Sequence, residues 1–299
     1  MAELVGSLTP SSEINTSPYL HRKLRIRTIH SSLLIEGNAL SEDQVTAIID
    51  GKRVLGDAKD VREVENAHRA YELIDSIDPF DVSDLLRIHG VMMDGLIKDA
   101  GNFRSKNVGV YDGDALIYAG TPAHYVPEVM ADLFGWITST KVHPLISSCI
   151  FHYEFEFVHP FADGNGRCGR LWYTLLLSKW RPVLKWSPIE SIIQQRQQEY
   201  YAAIAASNAS GSCEAFVAFM LEAIRDSILP YAIRKSDKDV RKEQLVKAVS
   251  DDPHVTIPQL MEKTGFSRRS IERDLTELKE SGVLTRLGSA RSGSWEVNR

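Results

Sequence analysis

HPFADGNGRCGR, residues 159–170, separates two apolar stretches, LISSCIFHYEFEFV at 145–158 and LWYTLLLSKW at 171–180. Apolar side chains recur at three- and four-residue steps on both sides, so the segment reads as a loop that ends one helix and opens the next. Gly164, Asn165 and Gly166 can take the positive or bridging backbone angles that turn successive N–H groups toward one point. At a helix start, where the backbone dipole presents positive charge, such a cradle attracts phosphate oxygens. Asp163 offers the hard carboxylate oxygen that Mg²⁺ prefers. Arg167 and Arg170, three apart, project to a common side and can grip phosphates as bidentate forks. His159 can take a proton near neutral pH. A base, a metal ligand, an anion cradle and a cationic clamp within one short loop describe phosphoryl or nucleotidyl transfer, where positioning and charge neutralisation carry most of the catalysis.

Blander explanations account for less. An EF-hand calcium loop starting at Asp163 would need an oxygen ligand at its fifth position, which is the cation Arg167. A structural Asn-Gly turn explains the glycines but not the His, Asp and both Arg around them. His143-Pro144 repeats the opening dipeptide without the acid and glycines that should follow.

Outward from the loop, residues from Ser17 to about Ile228 read as amphipathic helices, as in VTAIIDG, VSDLLRIHGVMMDGLI and EAFVAFMLEAIRDSI. NVGVYDGDALIYAGTPAHY, Asn107 to Tyr125, breaks the rhythm with β-branched and aromatic residues around an Asp-Gly pair, which predicts a short hairpin. Charge dominates RKSDKDVRKEQ, Arg234 to Gln244, and marks a domain boundary. The expected division is residues 1–235 and 236–299. Three helical stretches and a two-strand pattern, VLTRLGS then GSWEVN, make the tail similar to a winged helix-turn-helix.

A net charge of −5 argues against a globally basic nucleic-acid coat. Cys149, Cys168 and Cys213 are odd in number and lack CxxC spacing, so neither a disulfide framework nor a thiolate metal site is predicted. With no export signal at the N-terminus and no apolar run of spanning length, the sequence predicts a cytoplasmic protein with no membrane partner.

Residues 159–170 resemble, at every fixed position, the Fic family motif HPFx[DE]GNGRxxR. The resemblance implies a mainly α fold, a Fic helical core with a short β-hairpin flap, here followed by a small winged-helix domain. It implies protein adenylyltransfer: AMP passes from ATP, with Mg²⁺, to a Ser, Thr or Tyr hydroxyl of a target protein or of the enzyme itself. His159 would activate the hydroxyl and Asp163 would hold Mg²⁺ between the α- and β-phosphates. The backbone of Gly164, Asn165 and Gly166 and the Asn165 side chain would cradle the phosphates, with Arg167 and Arg170 on the β- and γ-phosphates. Ser32-Leu33-Leu34-Ile35-Glu36-Gly37 is similar to the family's inhibitory pattern [ST]xxxE[GN], placing an inhibitory short helix near residues 28–37. Ser32 and Glu36 share a helix face, Gly37 can end the helix, and a carboxylate on Arg170 would take the γ-phosphate's place.

Further family landmarks resemble Arg62 to Ala70 with Asn66, Gly101-Asn102-Phe103-Arg104, and Glu199-Tyr200-Tyr201 followed by Asn208. In relatives the Tyr pair and the later Asn line the nucleotide pocket, which carries over to Tyr200, Tyr201 and Asn208. The hairpin before Pro127 would align a target segment by strand addition. Relatives also remove AMP, phosphorylate or transfer other nucleotides, and these activities stay open, as does a nucleotide-sensing, DNA-binding regulator. In the tail, Arg268, Arg269 and Arg273 start a recognition helix, and Arg286 and Arg291 fall on the wing. From His254 to Arg299 eight Lys or Arg face six Asp or Glu, so DNA binding and protein interaction, including homodimerisation, stand as equal alternatives.

Overall fold

The computed structural model describes residues 2–8, 13–112, 115–232, 237–288 and 293–298. The chain forms two compact units, Met1–Ala232 and Ile233–Arg299.

The first unit contains α1 (Ala2–Gly6), α2 (Glu13–Thr16), α3 (Pro18–Ile35), α4 (Glu42–Ile49), α5 (Ala58–Glu72), α6 (Val82–Met92), β1 (Gly109–Asp112), β2 (Ala115–Ala119), α7 (Val126–Ser139), α8 (Pro144–Val158), α9 (Asn165–Trp180), α10 (Ile189–Gln195), α11 (Gln197–Ser210) and α12 (Glu214–Ile228). Its centre is α9, buried without a break from Arg167 to Leu177. Leu171, Trp172 and Leu175 face a core shared with α3, α5, α6, α7 and α8. Tyr173 and Leu177 face a second core shared with α8, α10 and α12. His143, the decoy of the sequence, caps α8 by accepting the Leu145 N–H.

The helix that carries the inhibitory pattern is not short. It starts at Ser17, whose side chain accepts the Leu20 N–H, with Pro18 in the first turn. It ends at Ile35, with Glu36 as its C-cap and Gly37 left-handed at φ 89°. Ile26, Ile29 and Leu33 belong to the first core, Leu24 and Ile35 to the second. Truncating the fully buried Leu33 would cost about 2–5 kcal/mol, so this helix is part of the fold.

The hairpin forms as β1 and β2, antiparallel from Gly109↔Ala119 to Asp112↔Ala115, with a register slip between Val110 and Tyr111. The expected Asp-Gly turn includes Gly113, which lies outside the described residues.

In the second unit α13 (Asp237–Asp251), α14 (Ile257–Thr264) and α15 (Arg268–Glu280) pack with the antiparallel pair β3 (Leu284–Leu287) and β4 (Ser294–Val297). Leu245, Leu260, Ile271, Leu275 and Leu284 form the core. The Asp274 carboxylate is fully buried and accepts from Arg241 and Arg273. Arg268 pairs with Glu272 at 2.8 Å, and Arg286 lies over the Trp295 ring. Several cations expected to face a partner are thus engaged within the unit; Arg269 is exposed. Arg291 lies outside the described residues.

Candidate active site

Residues 159–164 leave α8 and enter α9 through two left-handed positions, His159 (φ 52°, ψ 62°) and Gly164 (φ 83°). A left-handed histidine is strained and persists only where its surroundings fix it. Arg104, 3% exposed, does much of the fixing. Its guanidinium donates to the carbonyls of His159 (2.7 Å), Val158 (3.2 Å), Lys106 (3.0 Å) and Thr121. Its own N–H donates to Pro160 O. One side chain thereby satisfies carbonyls orphaned at the end of α8 and ties them to the segments flanking the hairpin.

Burial lowers the His159 pKa below its ordinary value, and Arg104 lowers it further; a hydrogen bond to the Glu156 carbonyl and the Glu36 and Asp163 charges oppose this. The imidazole is therefore neutral at pH 7, with one nitrogen oriented by that carbonyl and the other available to accept a proton.

Asp163 is half exposed and its Oδ1 accepts from Gly164 N (2.6 Å) and Arg167 Nη2 (2.9 Å). The loop is held from behind by His89, which the sequence reading missed. Gly101 N–H donates to its Nδ1 at 2.9 Å, so Nε2 carries the proton and donates to Asp163 O at 3.0 Å. The ring stacks on Phe161 at 3.7 Å between centroids.

Two expectations about the cradle are corrected. Asn165 and Gly166 are helical and only Gly164 has positive φ, so the N–H groups converge as the first turn of α9. The Asn165 side chain does not face the cradle. Its Oδ1 accepts Phe161 N–H (2.8 Å) and its Nδ2 donates to Phe161 O (2.9 Å), which closes the loop on itself. Gly166 is glycine for space: a β-carbon there would collide with Glu36 Oε1 and lie 2.8 Å from Arg170 Nη1.

Glu36 and Arg170 meet at this point. Arg170, 2% exposed, donates Nη2 to Glu36 Oε1 (2.8 Å) and to Ser32 O (2.9 Å), and Nε to Ser32 Oγ (3.1 Å). Burial alone would lower its pKa, but the Glu36 carboxylate holds it above the ordinary value. Arg167 is engaged too, between Glu63 Oε1 (3.0 Å) and Asp163, and its Nε has no partner among the described residues. Glu156 Oε1 is likewise buried without a partner, and burial pushes that carboxyl up to about 7, with Arg170 lowering it and Glu36 raising it.

The structure brings Ser32, Glu36, Gly166 and Arg170 together, and Asp163 with Arg167. Tyr200 is buried behind them, its hydroxyl 3.0 Å from His152 Nε2 and its ring in the second core. Tyr201 is exposed, 3.5 Å from Gln197 Nε2, and Gln197 also donates to Ile35 O at the end of α3. Asn208, two turns along α11, is exposed and accepts from Tyr153 OH at 2.8 Å. Among the described residues no three His, Cys, Asp or Glu side chains form a metal cluster, and no helix is long and apolar enough to cross a membrane.

A strained histidine, an acid and two arginines at the start of a central helix, within this helical architecture, define a Fic domain; residues 79–177 match the model of the Fic/DOC family. A solved Fic family protein from Desulfovibrio desulfuricans G20 is 40% identical, with a TM-score of 0.74, over 99% of this chain and 93% of that one. The chain belongs to the Fic family. Residues 241–294 match a DeoR-like helix-turn-helix domain. Protein adenylyltransferase fic-1 of Caenorhabditis elegans is 28% identical over 245 residues, 76% of this chain and 46% of that protein. The chain spans about half or less of the length of the curated relatives it matches. The solved structure of C. elegans Fic-1 shares the fold, at 24% identity and a TM-score of 0.62 over 77% of this chain and 69% of that one.

Proposed function

We propose that the chain is a protein adenylyltransferase that moves AMP from ATP to a hydroxyl of a target protein or of itself, and that Glu36 holds it inactive. The observation that carries this reading is the Glu36 carboxylate, an anion held by Arg170 against Gly166 on the first turn of α9. A site that seats one anion there, with helix dipole and guanidinium, suits a phosphate once the glutamate leaves.

In the released state Arg170 binds the γ-phosphate, the α9 N-terminus receives the phosphate oxygens, and neutral His159 takes the proton of the target hydroxyl. The hydroxyl oxygen bonds to the α-phosphorus, the bond to the β-phosphate oxygen breaks, and pyrophosphate leaves with its electron pair. Asp163 is the one carboxylate on the loop and is half exposed, which fits Mg²⁺, an ion that takes few protein ligands and completes its shell with water and phosphate. The bound ion supplies positive charge against the phosphates. Tyr201, exposed near the start of α11, with Asn208 beyond it, would border the nucleoside, and Tyr200 would back the pocket from the second core.

Intact-protein mass after incubation with ATP and Mg²⁺ tests this. A gain of one AMP is expected, stronger in Glu36→Gly and absent from Glu36→Gly, His159→Ala. A gain of one phosphate would replace adenylyl with phosphoryl transfer, and no gain in any variant, with a purified lysate as target source, would end the reading.

A further inference from the structure

We infer that Glu63 is a positioning residue that holds Arg167 and, through Asn38, ties the inhibitory turn to the catalytic loop at a second point; the inference rests on the inhibitory reading of Glu36 above. The Glu63 side chain, on α5, is 6% exposed. Its Oε1 accepts from Arg167 Nη1 at 3.0 Å and its Oε2 from Asn38 Nδ2 at 2.9 Å. With Arg167 Nη2 on Asp163 Oδ1, an unbroken chain runs Asn38–Glu63–Arg167–Asp163.

Asn38 is buried and lies two residues after Glu36, across the left-handed Gly37. Its backbone N–H donates to Leu33 O, its Nδ2 also to Asp60 O, and its Oδ1 accepts Leu40 N–H. The turn at 36–38 is therefore fastened twice, by Glu36 to Arg170 and by Asn38 to the carboxylate that orients Arg167. Both clamp arginines answer to the same three-residue turn. Glu63 presents Arg167 to the phosphates and at the same time holds Asn38, so ATP entry must displace Glu36 from a turn that Asn38 fastens, and by reciprocity loosening Asn38 favours departure of Glu36 and entry of ATP.

The test is calorimetric titration of the full chain with ATP in the presence of EDTA, so that no transfer occurs. Asn38→Ala is expected to tighten ATP about fivefold where Glu36 is present and to leave affinity unchanged in a Glu36→Gly background. Asn38→Ser, which keeps an acceptor for Leu40 N–H but is too short to reach Glu63, should behave alike and covers the case in which Asn38→Ala fails to fold. Glu63→Gln is expected to weaken ATP about fivefold in the Glu36→Gly background, where only its hold on Arg167 counts. Hydrogen exchange at residues 36–40 should quicken in Asn38→Ser. Equal shifts for Asn38→Ser in the two backgrounds would overturn the coupling. If Glu36→Gly itself failed to tighten ATP, the inhibitory reading would fall, and the coupling with it.

Discussion

Gly166 and Glu36, 130 positions apart in sequence (166 minus 36), share one small volume: the carboxylate of the second fills the place a β-carbon on the first would need. The glycine is thus a contact surface, and on the function proposed above its occupant sets whether the α9 N-terminus is open or closed.

Gly166→Ala puts a methyl group against Glu36 and 2.8 Å from Arg170 Nη1. In the Glu36→Gly background it is expected to raise the Kd for ATP at least about tenfold, equivalent to roughly 1.4 kcal/mol. Unchanged affinity by calorimetry would show that phosphate does not use this surface.

For proton transfer the active form is the neutral imidazole. Burial lowers the His159 pKa from 6.5, so the neutral form survives to more acid pH than for an ordinary histidine. The AMP-transfer rate of Glu36→Gly should be flat through pH 7 and fall on an acid limb with its midpoint below 6.5; a midpoint above it would dismiss His159 as the titrating base.

Glu156 bears on stability. Its carboxyl is raised from 4.5 to about 7, first by burial, so the folded state favours the protonated form. The stabilisation is complete below pH 4.5 and is lost as pH climbs through 7. Glu156→Gln, which stays neutral, is expected to melt higher than the parent at pH 8 and to gain little at pH 4.5, as read by calorimetric scans; a gain independent of pH would contradict the ionisation account.

His89→Leu removes the partners of Gly101 N–H and Asp163 O. Two unsatisfied groups make a loss of about 2–3 kcal/mol the expected result of urea denaturation. His89→Gln, which can offer one acceptor and one donor, should lose less.

The loop from His159 to Arg170 and the Ser32–Gly37 pattern were legible because each packs its chemistry into a few consecutive residues. Arg104, His89 and Glu63 were not. Arg104 and Glu63 lay inside recognised landmarks without any role, His89 lay in none, and His89 and Glu63 act on partners 74 and 104 residues away, a distance no local pattern reports. The full extent of α3 was hidden for another reason. A helix that buries residues against two cores has no single apolar stripe, so its periodicity fades. The roles of Asn165 and Gly166 were misread because glycine and asparagine signal turns, whereas here one is needed for its missing side chain and the other for a carboxamide that closes the loop.

Because α3 supplies Leu24, Ile26, Ile29, Leu33 and Ile35 to both cores, the off state proposed above would be inherited with the architecture. A protease that trimmed the N-terminus would ruin the protein before it freed the catalytic loop. If Glu36 inhibits as proposed above, the part left to move is the turn from Glu36 to Asn38, and the enzyme is born silent.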